Sequence, residues 1–296
     1  MGNESAPAPV LAFVSTKGGL GRSMLTLGLA TELALMGYRT LVVDLDPNHG
    51  CTSRMMSRGR DQELSADETA ARLLLHPELG CSGIIHKFSL STLIESTESN
   101  ASVSTGVIGR RKPIGAGTLD FIPGIHIACK GTALLRDVDA HGAGLRDSLS
   151  RARPNYDVVL LDTPSSGNRL VDEIYDTADH LLLLYDMYEG SLAQEDYLRL
   201  LRRVDEERDV RAQRGRPAQY NVVVRIERGP EVTAREIARQ SRAIIGPMFN
   251  TIIPYDRPAA LQRPPQAQAP TSPLSQALAR LAADVIAYVG LRQLSQ

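Results

Sequence analysis

A chain of 296 residues, 43% hydrophobic and 23% charged, is long enough to bury a sizeable core as one large α/β domain or two small ones. A formal net charge of −1 excludes a globally basic nucleic-acid binder but leaves room for a local basic patch. Three scattered cysteines, Cys51, Cys81 and Cys129, without a C-x-x-C pair or clustered histidines, argue against a zinc site or a disulfide framework and fit a reducing cytoplasm.

The opening stretch MGNESAPAPV has no charged segment leading into an apolar run, so it does not read as a secretion signal, and residues 1–9 are expected to be flexible. VLAFVS (Val10–Ser15) is a short apolar run ending in glycines, the pattern of a buried parallel strand. The next segment, SMLTLGLATELALMG, spaces Leu25, Leu29, Leu33 and Met36 for a helix that Gly37 can close. RTLVVDLD then gives a second buried strand ending in acids, completing a βαβ unit. Further buried strands are read at TLDFIPG (Thr118–Gly124), DVVLLDTP (Asp157–Pro164), HLLLLYD (His180–Asp186) and YNVVVRI (Tyr220–Ile226), with helices over Leu170–Ala178 and Gln194–Arg208. Ser89–Gly117 reads as a surface insertion and Arg257–Pro273, with five prolines, as an extended loop. The last segment places Leu274, Leu278, Leu281, Val285 and Val289 on one helical face, expected to pack onto the sheet; basic residues on its other face are too few for a membrane-binding helix. No apolar stretch reaches transmembrane length, so a soluble cytoplasmic protein is expected. The fold class is α/β: one domain with a twisted, mostly parallel sheet and helices on both faces.

The stretch VSTKGGLGRSML joins the first strand to the first helix. It approximates the phosphate-loop pattern G-x-x-x-x-G-K-[ST], but Thr16 stands at the first glycine and Arg22 at the lysine, while Lys17 precedes two glycines. Gly18, Gly19 and Gly21 permit a tight turn that gathers backbone N–H groups at a helix start, a place suited to phosphate, and Ser23 offers a hydroxyl for Mg²⁺. Glycines alone fit a bare strand–helix turn equally well. Asp44 and Asp46 after the second strand and Asp162 after VVLL tip the balance. Parallel strands bring their carboxyl ends to one edge, where a hard divalent ion on phosphates wants oxygen ligands.

STKGGLGRSML, VVDLDPNHG and VVLLDTPSS resemble the nucleotide motifs of the ParA/MinD superfamily, the deviant Walker-A P-loop ATPases. In that family the loop reads K-G-G-x-G-K-[ST], so Lys17 matches its signature lysine; GTLDFIPG and NTIIPYD resemble further family segments. The DPN and DTPSS segments lean toward ParA-type partition proteins. The resemblance implies a single P-loop NTPase domain binding ATP or ADP with Mg²⁺. Lys17, Gly18, Gly19, Leu20, Gly21, Arg22, Ser23 and Met24 would surround the phosphates, and Pro254 would lie near the base. Ser23, Asp44 and Asp162 would serve the metal, Lys17 would cross an ATP-dependent homodimer interface, and Asp46 would orient the attacking water. An activating adaptor of the ParB kind and nonspecific DNA are the implied partners.

Arg22 departs from the pattern. It keeps the charge but is bulkier and planar, so nucleotide binding with slow hydrolysis is expected. LRRVDEERDVRAQRGRPAQ carries Arg202, Arg203, Arg208, Arg211, Arg214 and Arg216, and Arg225, Arg228, Arg235, Arg239 and Arg242 follow. The first part of this run reads as a solvated helical face; its tail, with the later arginines, could touch DNA phosphates. Tyr185, Asp186, Tyr188 and Glu189 could line an interface or simply pack, and His49 reads as a turn residue. Three alternatives remain: a non-hydrolysing nucleotide-gated switch, a MinD-like membrane-positioning ATPase, and an iron–sulfur reductase, for which Cys81 and Cys129 are poorly placed.

Overall fold

The computed structural model describes residues 7–15, 18–48, 50–56, 64–88, 117–124, 144–164, 169–187, 191–226, 245–254 and 272–292. Thr16, Lys17, His49, Cys129, Tyr188, Glu189, Arg228, Arg235, Arg239 and Arg242 lie outside them, as do residues 89–116 of the expected insertion and 257–271 of the proline-rich loop.

Among the described residues one sheet contains β1 (Val10–Val14), β2 (Arg39–Asp44), β3 (His86–Phe88), β4 (Thr118–Ile122), β5 (Val158–Asp162), β6 (His180–Asp186), β7 (Gln219–Ile226) and β8 (Met248–Pro254). Their order is β3-β4-β2-β5-β1-β6-β7-β8, and every pairing is parallel except β3 on β4. The helices are α1 (Arg22–Leu35), α2 (Gly50–Met55), α3 (Ala71–Leu75), α4 (Leu145–Ala152), α5 (Arg169–Thr177), α6 (Ser191–Gln213) and α7 (Pro273–Val289). The strands are apolar on both faces because both faces are covered. Phe13, Val42, Leu160 and Val223 join α1 and α7 in one core. Val14, Val43, Leu161 and Val224 join α3, α4, α5 and α6 in the other.

The expected helix after β1 forms, and Gly37 closes it at φ 98°, a left-handed conformation that glycine adopts without a steric penalty. The last helix also forms. Ser272 caps it by accepting the Ser275 N–H at 3.0 Å, and Leu274, Leu278, Leu281 and Val285 are buried against α1 and β8. Asp284 fixes its position on β8 by accepting both the N–H and the hydroxyl of Thr251, at 3.0 and 2.8 Å.

Three details differ from expectation. Ala8, expected in a loose N-terminus, is buried, and its carbonyl accepts Arg153 Nε at 2.6 Å. The helix expected to end at Arg208 continues to Gln213, where the buried Arg211 donates to the carbonyls of Tyr175 and Ala178 around the end of α5. Two strands, β3 and β8, were not read as strands; β3 is three residues long, and β8, at the opposite edge, is broken by a register shift against β7.

Candidate functional site

Strand periodicity aims the acids. Val42 and Leu160 face α1, so Asp44 and Asp162, two residues further along, face the same way. They are also register partners, adjacent at the carboxyl ends of β2 and β5. Both are completely buried.

The loop between β1 and α1 curls over these acids. Gly19 and Gly21 sit at φ 83° and 85°, and Gly21 is the N-cap residue of α1 with no side chain capping the helix. No side chain of the N-cap residue closes the start of α1 and no acid lies within its first turn, a helix start suited to an anion. Gly18 and Gly19 are exposed at the mouth. Leu20 buries its side chain in the α1-side core, leaving its backbone to the loop, and Met24 packs partly against the same core.

Arg22 turns inward. Its Nε donates to the Thr163 carbonyl at 2.9 Å, one terminal nitrogen donates to the Ser15 hydroxyl, and the other lies 3.5 Å from Asp46 Oδ2. The guanidinium thereby ties together the ends of β1, β5 and β2. Asp46 also accepts the Asn48 N–H and side-chain amide, each at 2.9 Å.

Ser23 faces α2. A Cβ on Gly50 would come within 2.2 Å of the Ser23 hydroxyl, so only glycine lets α2 approach this closely. Thr52 then binds Asp44 Oδ2 twice, through its N–H and its hydroxyl, both at 2.7 Å, and that hydroxyl accepts the Gly124 N–H at 2.7 Å. The second Asp44 oxygen accepts the Asp46 N–H at 3.1 Å. Burial, reinforced by the Asp162 charge, pushes the Asp44 carboxyl well above the usual carboxylate range. Asp162 is pushed up to about 6, again chiefly by burial. Neither of its oxygens has a hydrogen-bond partner of ordinary geometry among the described residues, although the Ser23 hydroxyl and Cys51 thiol stand beside it and favour its charge. The Cys51 thiol is itself held well up by burial and by Asp162.

An orphaned buried carboxylate beside a hydroxyl and a second carboxylate fits Mg²⁺, which favours oxygen donors. Among the described residues no three His, Cys, Asp or Glu side chains converge on one metal position, so the remaining ligands would be phosphate oxygens and water.

The structure thus brings Gly18, Gly19, Gly21, Arg22, Ser23, Asp44, Asp46 and Asp162 to one sheet edge. Pro254 ends β8 at the same edge, as register partner of Ile226 on β7. Sequence reasoning missed Thr52 and Gly50, the supports of Asp44 and Ser23. It gave Arg225 to the arginines offered to DNA, whereas its NH1 donates to the Gly19 carbonyl at 3.3 Å. A lone charge inside the apolar run VVVRI was the available signal for Arg225.

The arginines expected to meet DNA behave differently. Arg211 is 2% exposed and donates to the carbonyls of Tyr175, Ala178 and Arg216, while Arg225 is buried at the loop. Arg214 and Arg216 both pair with Asp176, Arg203 with Asp172, and Arg208 with Asp205. α5 supplies acids that the tail of the run lacks, but its Asp176 is shared by Arg146, Arg214 and Arg216, so the tail keeps positive charge. Tyr185 packs edge-on against Tyr197, with ring centroids 4.8 Å apart.

A family model described as an AAA domain matches residues 8–211. The chain is 28% identical over 286 residues to the chromosome-partitioning ATPase Soj of Thermus thermophilus, covering 94% of this chain and 96% of that protein. It is 28% identical over 174 residues to the virulence plasmid ParA family protein pGP5-D of Chlamydia psittaci, covering 58% of this chain and only 55% of the relative's length. Its fold matches that of the septum site-determining protein MinD complexed with Mg-ADP from Pyrococcus horikoshii, with a TM-score of 0.61 and 18% identity over 96% of this chain and 98% of that one.

Proposed function

The chain belongs to the AAA-domain family and, within it, to the ParA/MinD superfamily of P-loop ATPases, and from that premise we propose that it binds ATP or ADP with Mg²⁺, dimerises around ATP and hydrolyses it slowly, in DNA partition or cargo positioning. The observation that carries this reading is the orphaned Asp162 carboxylate, buried beside Asp44 and Ser23 at the glycine-bearing start of α1. Such a pair is costly to hold without a cation, and the same spot would receive the phosphates that accompany it. The names of the relatives agree: one is a chromosome-partitioning ATPase, and one structure is complexed with Mg-ADP.

In this reading the loop and the first turn of α1 grip the phosphates, while Ser23 and Asp162 hold Mg²⁺ with Asp44 behind them. The bound cation neutralises phosphate charge. Asp46 orients water once Arg22 has moved off it, and Lys17 reaches the partner's phosphates. A ParB-like adaptor stimulates turnover. DNA contact, where it occurs, rests on exposed arginines such as Arg202 and on arginines outside the described residues. A membrane-positioning role is disfavoured, since α1 and β8 already cover the apolar face of α7. Among the described residues no helix is long and apolar enough to cross a membrane.

A second reading, a nucleotide-gated switch without hydrolysis, is favoured by the tie between Arg22 and Asp46. Calorimetry with ATP or ADP and Mg²⁺, followed by phosphate release, separates the two. Binding with slow turnover is expected, and Arg22→Lys is expected to raise turnover about tenfold or more. Binding without turnover in either protein selects the switch; no heat with either nucleotide rejects both.

A further inference from the structure

We propose that Asn48 is a positioning residue for hydrolysis, its side-chain amide holding one oxygen of Asp46 so that the other is left to act on water; this deepens the hydrolytic reading above and rests on it. The main chain leading to Asp46 is fixed first. The Leu45 N–H donates to the Asp162 carbonyl at 2.9 Å, and the Asp46 N–H to Asp44 Oδ1 at 3.1 Å. Neither bond fixes the Asp46 carboxylate, because the torsion about an aspartate's Cβ–Cγ bond is broad. Its orientation is set by what it bonds.

Both Asn48 bonds land on the same oxygen. Pro47 has no N–H, so Asn48 supplies the first main-chain donor after Asp46. That N–H reaches Asp46 Oδ1 at 2.9 Å, the ordinary closure of a turn that begins with aspartate. The turn needs nothing more. Asn48 Nδ2 nevertheless adds a second bond to Oδ1, also at 2.9 Å, and only the nitrogen end of an amide can donate to a carboxylate. Two donors converging on Oδ1 resist rotation of the carboxylate better than one. Arg22 lies on the other oxygen, Oδ2, at the looser distance of 3.5 Å. Because Asn48 and Arg22 use different oxygens, Asp46 keeps its orientation whichever way Arg22 moves, and Oδ2 is the oxygen that movement uncovers. Asp46 is buried but Asn48 is exposed, and the side chain of an exposed residue adds little to folding.

Phosphate release across a range of ATP concentrations with Mg²⁺, together with calorimetry of ADP and Mg²⁺, tests this on the full chain in wild type, Asn48→Ala and Asn48→Asp. Melting temperature is the check on folding. Alanine keeps the main-chain bond and loses the amide; aspartate keeps the size of the side chain but offers Asp46 no donor. Asn48→Ala is expected to lower kcat about tenfold while KM and ADP affinity stay within about threefold of wild type. Asn48→Asp is expected to be at least as slow. Wild-type kcat in either variant overturns the proposal and leaves the nucleotide reading intact. An alanine variant whose ADP affinity falls as far as its kcat assigns Asn48 to the shape of the loop and overturns the proposal as well. Wild-type protein that binds nucleotide but releases no phosphate selects the switch and ends this proposal, and wild-type protein that binds neither ADP nor ATP defeats the nucleotide reading too.

Discussion

At Asp162, lost hydration outweighs the help of Ser23 and Cys51, and the carboxyl rises to about 6 from an ordinary 3.8. Because the folded value lies above the unfolded one, folding favours the protonated form. The stability this confers is complete below about pH 4 and is lost as pH rises through about 6. Asp44 is shifted in the same direction and titrates with Asp162 as a pair. In nucleotide-free, metal-free protein, Asp162→Asn is expected to remove the Asp162 share of this slope and leave the part that burial imposes on Asp44. It should raise stability at about pH 8 by up to roughly 3 kcal/mol while weakening Mg²⁺-dependent nucleotide binding. Urea melts at about pH 5 and about pH 8 check it, and a slope unchanged from wild type refutes it. These carboxylates were legible from the sequence because strand ends announce themselves. The inward course of Arg22 was not, because its acceptors come from three strand ends far apart in the chain.

Among the elements, α1 and α7 meet at Gly28, where an added Cβ would come within 2.7 Å of a Leu278 methyl group. Gly28 weakens a helix interior slightly but lets the C-terminal helix sit down on the first one. Gly28→Val is expected to destabilise the fold by about 1–3 kcal/mol through overpacking. Combining it with Leu278→Ala should cost less than the two single changes added together. Denaturant melts of the four proteins decide, and strict additivity would show that the pair does not touch in solution. Long apolar runs such as VLAFV and HLLLLYD made six strands readable, since burial on both faces leaves little ambiguity. β3 and β8 escaped for physical reasons. Three residues of mixed polarity carry no periodicity, and β8 is an irregular edge strand holding a proline. Gly50 and Thr52 stand two and four residues after Asn48, yet their roles depend on α2 folding back over Ser23 and Asp44, which local patterning does not encode.

For the whole molecule, one sheet edge gathers every described group of the site, while Lys17 lies outside the described residues. The family resemblance sends that lysine to a second copy, so it should matter only to the assembly. Lys17→Ala is expected to leave the monomer's melting temperature unchanged and to abolish the doubling of mass on adding ATP, as read by light scattering; dimers that persist with ATP exclude the crossing lysine. Within a single copy, Thr52 gives communication a path. Its one hydroxyl donates to Asp44 and accepts from the main chain at Gly124, where β4 releases the polypeptide. If Asp44 swings toward an arriving cation, that hydroxyl loses its acceptor, so occupancy at the nucleotide edge is felt at Gly124, just past the end of β4.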